Sequence, residues 1–349
     1  MNYKKPFRLP KATVYRLSAA KRILHIAPVN TQGGAYTFFS ERDKKVSMSR
    51  EQHGGDSTGT MDRGSEREVN SPTSSSGTVP ELSKGERREV EERTSISAVV
   101  VHETVREEGE HELCRPPSAL AWSGLAAGLS MGFSLVAQGL LHAYLPRASW
   151  TPLIDNLGYS TGFLIVILGR QQLFTENTLT VILPLLAHPN RSTFWRVARL
   201  WAVVLAANLV GAFLFATIVA HTAVFPSQIA RSFAEISLHS MQSDFGLTIL
   251  RAIFAGWLIA LMVWLLPASQ GTRLHIIILI TYLVALGGFT HIIAGSVDVL
   301  YLVSTGTVSW LTYFIGFMLP TLIGNIIGGV SLVAALNFAQ VTSETEDKN

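Results

Sequence analysis

Two interrupted apolar runs narrow the possible folds of this chain more than any other feature. The first extends from Asn156 to Ala187 and is broken by Gly169-Arg170-Gln171-Gln172-Leu173-Phe174-Thr175-Glu176-Asn177. The second extends from Ile276 to Val303 and is broken by Gly287-Gly288-Phe289-Thr290-His291. No half of either run crosses a bilayer alone, because the hydrocarbon core takes about 20 helical residues. Unwound backbone facing lipid costs several kcal/mol per unpaired group, so a break at that depth must line a protein-enclosed space. Matched breaks in two halves of a chain point to a permeation site near the midplane.

Four continuous apolar runs accompany them, at about Leu120–Leu141, Val197–Ala220, Leu247–Leu266 and Leu311–Phe338. The six together predict an all-α polytopic membrane protein with six transmembrane helices. Gly124, Gly128 and Gly132 step by four along the first run, a spacing that admits close helix contact. Three spans per half is an odd number, so the second half is expected to be inverted relative to the first. Phe174-Thr175 in the first break then corresponds to Phe289-Thr290 in the second. Loop arginines (Arg191, Arg196, Arg199 and Arg273 on one side, Arg147 and Arg231 on the other) favour cytoplasmic termini and a multi-pass inner (plasma) membrane protein.

Charge separates the chain into unlike pieces. Residues 1–116 hold 19 of the 28 Lys+Arg and 17 of the 25 Asp+Glu, whereas 117–340 hold eight Arg, five acidic residues and no Lys. Residues 1–98 read as a basic, then Ser-rich extension with too little apolar surface to order itself. Residues 99–116 carry Val100, Val101, Val105 and Leu113 among charged residues, the pattern of an amphipathic helix at the membrane face. Residues 117–340 form the six-span domain, and 341–349 a short acidic tail.

No piece is strongly basic, so nucleic acid is not an expected partner. Cys114 is the single cysteine, and no metal-ligand spacing, Walker loop or Rossmann fingerprint occurs. No cofactor, no metal and no enzymatic activity are expected. Gly158-Tyr159-Ser160-Thr161-Gly162 matches GxSxG by letter, yet it opens an apolar helical run rather than a strand-to-helix turn.

His291 is the histidine expected deep in the membrane; His142, His188, His221 and His275 fall at span ends. Half-helices beginning after Thr175 and after His291 would aim positive N-terminal dipoles at the midplane. Asn208 and Asn325, with both donor and acceptor, suit the amides and carbonyls freed by the breaks.

Four marks in order resemble the formate/nitrite transporter family: Leu173-Phe174-Thr175, Asn208-Leu209-Val210-Gly211, Gly288-Phe289-Thr290-His291 and Gly324-Asn325-Ile326-Ile327-Gly328-Gly329. The resemblance runs from about Thr104 to Gln340. Glu176-Asn177-Thr178 after Arg170-Gln171-Gln172 is more similar to the YfdC-type branch than to the formate channels proper. It implies an aquaporin-like protomer assembled as a homopentamer in the lipid bilayer, each protomer with its own pore. It also implies a central pore histidine at His291, with Thr175 hydrogen-bonding near it. Leu173, Phe174, Tyr159 and Phe163 fall on apolar constriction positions, and Val284 on one that is aromatic in formate channels. Three positions depart from those channels. Thr290 stands where they carry Glu, Gly295 where they carry Asn, and their vestibule lysine is missing; Arg170, Glu176 and Asp298 appear instead.

The expected substrate is a small monovalent weak-acid anion of the formate, nitrite and acetate class, passing as the neutral acid with a proton supplied at His291. A neutral-solute pore of aquaporin or ammonium type, or a non-conducting scaffold or sensor, is the alternative.

Overall fold

The computed structural model describes residues 83–87, 96–269 and 271–334 of the 349-residue chain. Among the described residues, beyond the single helical turn at 84–87, ten helices follow in order. They are α1 (Ala98–Cys114), α2 (Pro117–Tyr144), α3 (Thr151–Leu168), α4 (Asn177–Ala187), α5 (Arg191–His221), α6 (Ser227–His239), α7 (Phe245–Leu265), α8 (Arg273–Leu286), α9 (Ile292–Ser304) and α10 (Thr312–Ser331). Five are long and apolar enough to cross a membrane: α2, α3, α5, α7 and α10. The shorter α4, α8 and α9 complete the interrupted runs.

The helices fall into two series of five, α1–α5 and α6–α10. Each opens with a short amphipathic helix, continues with a full span, then a helix, a break and a half-helix, and closes with another long helix. Sequence reading anticipated α1 but treated residues 221–246 as a loop, so α6 is a correction. Ile229 and Phe233 of α6 are buried, four residues apart on one face, with Arg231 and Glu235 on the other. A run of 13 residues with few apolar positions falls below any membrane-span threshold, which is why it was missed. In α1, Val101, Val105 and Leu113 are buried, whereas Val100 faces outward.

Packing repeats with the series. α2 lies against α5, and α7 against α10. A Cβ on Gly128 would stand 2.1 Å from the Asn208 carbonyl oxygen, and one on Gly256 would stand 2.4 Å from that of Asn325. Only glycine permits either approach. The half-helices are covered in parallel fashion: α1 packs beside α4, and α6 packs beside α9. The first interrupted run begins earlier than expected, at Thr151, because Thr151–Asp155 and a 3₁₀ turn at Asn156–Tyr159 extend α3 toward the surface. The GxSxG letters lie in this helical stretch.

Candidate permeation site

The breaks are built by one hydrogen-bond program used twice. At the first, Gly169 N–H donates to the Ile165 carbonyl (2.9 Å), Arg170 N–H to Ile167 (3.1 Å), Gln171 N–H to Val166 (2.9 Å) and Asn177 N–H to Leu173 (3.4 Å). At the second, Gly287 donates to Leu283 (2.9 Å), Gly288 to Ala285 (3.0 Å), Phe289 to Val284 (3.0 Å) and Gly295 to His291 (2.9 Å). Every pair is displaced by 118 positions, as Ile165 is from Leu283. Both breaks turn through one left-handed residue, Arg170 at φ 51° and Gly288 at φ 61°.

The asparagines close each break the same way. Asn208 Nδ2 donates to the carbonyls of Gly124 (2.7 Å) and Gln172 (2.9 Å), and its Oδ1 accepts from Phe174 N–H (2.9 Å). Asn325 Nδ2 donates to Ala252 (2.8 Å) and Thr290 (3.0 Å), and its Oδ1 accepts from Ile292 N–H (2.9 Å). Each amide satisfies two backbone groups freed by its break and adds a bond to a carbonyl of the neighbouring long helix, α2 or α7, and both side chains are fully buried. This register corrects the sequence echo. Leu173 is the counterpart of His291 and Phe174 of Ile292, so the two Phe-Thr pairs are three positions out of step.

The breaks meet through side chains. Thr175 Oγ1 lies 2.8 Å from His291 Nε2. His291 Nδ1 accepts from the amides of Ile293 (3.3 Å) and Ala294 (3.2 Å), capping α9. A nitrogen accepting two N–H groups holds no proton, so the network assigns the ring proton to Nε2, which donates to Thr175. Phe163 packs edge-on to the imidazole with ring centroids 5.0 Å apart, and Tyr159 lies 5.3 Å beyond Phe163. Leu173, Phe163, Val284 and Thr175 are fully buried.

Other candidates sit elsewhere. The Phe174 ring turns to Trp201 of α5, at 5.8 Å. Phe289 stacks on Phe254 at 5.3 Å beside an apolar groove between α7 and α8, and it also lines the cavity that leads to His291. Thr290 donates its hydroxyl to the Thr248 carbonyl (3.1 Å). Arg170 pairs with Glu108 of α1 at 3.2 Å.

A cavity of about 500 Å³ leads to His291 from the side covered by α6. Tyr159, Thr290, His291, Gly295, Asp298 and Phe317 line its deep part, and His142, Asp155, Glu235, His239 and Arg251 its mouth. His142 bridges Asp155 (2.8 Å) and Glu235 (3.2 Å), and Arg147 reaches Glu235 at 3.3 Å. Sequence reading passed over this mouth. His142 and Asp155 stand at span ends where polar residues are ordinary, and Glu235 belongs to the unanticipated α6.

The formate/nitrite transporter family profile matches residues 99–339. Inner membrane protein YfdC of Escherichia coli (strain K12) is 43% identical over 251 residues, covering 72% of this chain and 81% of that protein. Formate channel BtFdhC of Bacillus thuringiensis is 27% identical over 248 residues, covering 68% of this chain and 93% of its own length. The solved pentameric formate channel with formate bound is similar in fold, with a TM-score of 0.56 at 20% identity, covering 68% of this chain and 99% of that one.

Proposed function

The chain belongs to the formate/nitrite transporter family, and on that premise we propose that it is a transmembrane channel or transporter for small monovalent weak-acid anions of the formate, nitrite and acetate class. Residues 117–340 are its membrane domain, a six-span inverted 3+3 repeat with an aquaporin-like protomer. Residues 99–116 lie at the membrane face; the extension read at 1–98 and the acidic tail read at 341–349 fall almost wholly outside the described residues. Five protomers assemble in the inner membrane, each with its own pore and with both termini in the cytoplasm. The name and pentameric state of the formate-channel neighbour support the assembly and the substrate class.

One observation carries the reading: two helix breaks with identical backbone bonding meet at the Thr175–His291 contact, at the bottom of an open cavity. Dry side chains surround that contact. Moving a bare anion past Leu173, Phe163 and Val284 carries an idealised penalty of about 20 kcal/mol, still several after relaxation. Neutralising a carboxylate of pKa about 3.9 at pH 7 costs roughly 4 kcal/mol. The neutral acid is the lower route.

His291 is the group through which the proton reaches the anion. Its Nε2–H points across the gap between the breaks, and a second proton at Nδ1 requires the α9 cap bonds to open, so relay and helix cap are coupled. Leu173, Phe163 and Val284 keep water out of this step, with Tyr159 at the cavity side of Phe163 and Phe174 turned away toward Trp201. Purified protein in liposomes is expected to admit formate faster as external pH falls, without passing chloride. Swelling driven by glycerol or ammonia in place of any weak acid would overturn the reading, as would silence toward formate, acetate and nitrite alike.

A further inference from the structure

We propose that Asp298 is a second proton-transferring residue of the pore, sharing its proton with an incoming monocarboxylate in the vestibule before His291 is reached. The inference rests on the transport reading above and narrows its substrate to carboxylic acids.

Asp298 lies on α9 seven residues beyond His291 and three beyond Gly295, so all three occupy one helical face, and all three line the same cavity. Its side chain is 8% exposed. Ser240 Oγ donates to its Oδ2 at 3.1 Å. Arg251, the arginine lining the vestibule, turns its guanidinium to Ser243 Oγ at 2.6 Å and not to the carboxyl. The groups that face this space are His142 from α2, Asp155 and Tyr159 from α3, Glu235 and His239 from α6, Arg251 from α7, and His291 from α9 itself; α10 contributes the apolar Phe317. His142, Asp155 and Glu235 are engaged with one another at the mouth.

The counterpart position in the first series makes the placement more telling. Displaced by the same 118 positions, Asp298 matches Thr180 of α4, whose hydroxyl is spent on the Glu176 carbonyl at 2.9 Å. There α1 closes directly over the half-helix at Gly109, whose Cβ position is 2.1 Å from the Thr180 carbonyl oxygen. Over Asp298 the covering helix α6 leaves the cavity open. The chain therefore puts a carboxyl where the other half has a closed contact.

An anion descending to His291 must pass this carboxyl. Two fixed like charges about 4 Å apart repel by roughly 4 kcal/mol at an effective dielectric near 20. Two carboxylates sharing one proton do not repel; they bind through a short hydrogen bond along which the proton passes. The step is balanced. Asp298 gives its carboxyl proton to the substrate carboxylate, the neutral acid moves on to the constriction, and a hydronium ion arriving through the vestibule water reprotonates the Asp298 carboxylate. Anions of strong acids, such as chloride and nitrate, cannot take the proton and so reach the constriction still charged.

The test is formate and acetate flux into liposomes from pH 4 to 8 for wild type, Asp298→Asn and Ser240→Ala, each first shown to keep its oligomer by size exclusion. Asp298→Asn is expected to slow flux about tenfold at pH 7 and to return to within about twofold of wild type at pH 4, where bulk substrate is already half protonated. Ser240→Ala keeps the carboxyl but displaces the flux midpoint by about half a pH unit. Asp298→Asn loss that is equal at every pH, or flux that is unchanged or faster at pH 7, overturns the inference while leaving the transport reading intact. Wild type that carries no weak acid overturns both.

Discussion

The two breaks share a skeleton and differ in nearly every side chain that touches the pore. From Ile165 to Asn177 and from Leu283 to Gly295 the backbone bonds recur one for one, and Asn208 and Asn325 close them with the same three contacts. Within that frame Leu173 corresponds to His291, Arg170 to Gly288, and Thr180 to Asp298. The frame is thus a solution to one problem, unwinding a helix in a nonpolar medium without orphaned amides. On the proposed reading the proton-carrying side chains, His291 and Asp298, sit on the second copy, and the first contributes Thr175. A symmetric scaffold with one-sided chemistry is what a path from an open vestibule to a dry neck requires.

The sharpest way to break the comparison is to remove its shared part. Asn208→Leu and Asn325→Leu each delete three hydrogen bonds to buried backbone groups, a loss of roughly 3–6 kcal/mol at about 1 kcal/mol per bond with a further penalty for the groups left unpaired. Both variants should lose most assembled protein, and by similar amounts, in detergent melting followed by size exclusion. If one melts like wild type, the hydrogen bonds of that break do not hold it, and the equivalence fails.

Exchanging the unshared part should separate the copies. His291→Leu makes the second break match the first at this position and is expected to cut formate flux at pH 7 about 100-fold or more, the usual scale for losing a positioned proton-transfer group. Leu173→Ala enlarges the neck without touching a proton carrier, so its flux should keep the wild-type pH slope. Equal pH slopes in wild type and His291→Leu would remove the ring from the mechanism.

Much of this arrangement was legible in the residues. Six apolar runs, the two breaks, the buried His291 and the two asparagines all follow from hydropathy and from the cost of polar groups in lipid. The internal register did not. Phe174-Thr175 and Phe289-Thr290 look alike in letters, but backbone bonding aligns by carbonyls and amides, which every residue carries, so side-chain identity misled by three positions. α6 was invisible because amphipathic helices of its length lack a span's apolar signature. The vestibule needed α6, since Glu235 reaches His142 only once that helix is folded against α2 and α9.

A smaller effect tests the turn itself. Arg170 holds φ 51°, where a side chain costs about 1–2 kcal/mol, and its pairing with Glu108 is solvent-exposed and worth little. Arg170→Gly, copying Gly288, should therefore raise stability by about 1 kcal/mol, and Gly288→Ala should lower it by about the same amount, although open space surrounds that Cβ position. Melting temperatures of the two variants moving in opposite directions would sharpen the equivalence; movement in the same direction would dissolve it.

The weakest expected effect concerns the covers, α1 over α4 and α6 over α9. His102 of α1 is buried, edge-on to Trp264 at 6.3 Å, and burial holds its pKa below the usual 6.5. Neighbouring Glu103 opposes that shift and Arg106, itself paired with Glu103 and Glu110, adds to it. A base whose pKa is depressed in place favours the docked helix while neutral. Its contribution is complete above about pH 6.5 and declines as pH falls below that value, because the undocked ring takes a proton first. Amide hydrogen exchange across 98–114, read against 227–239 as the internal reference, should quicken between pH 7.5 and 5, and His102→Gln should flatten the response. Exchange in α1 that stays constant over this range would mean that the first series is sealed by its Gly109 contact alone, with the imidazole a bystander.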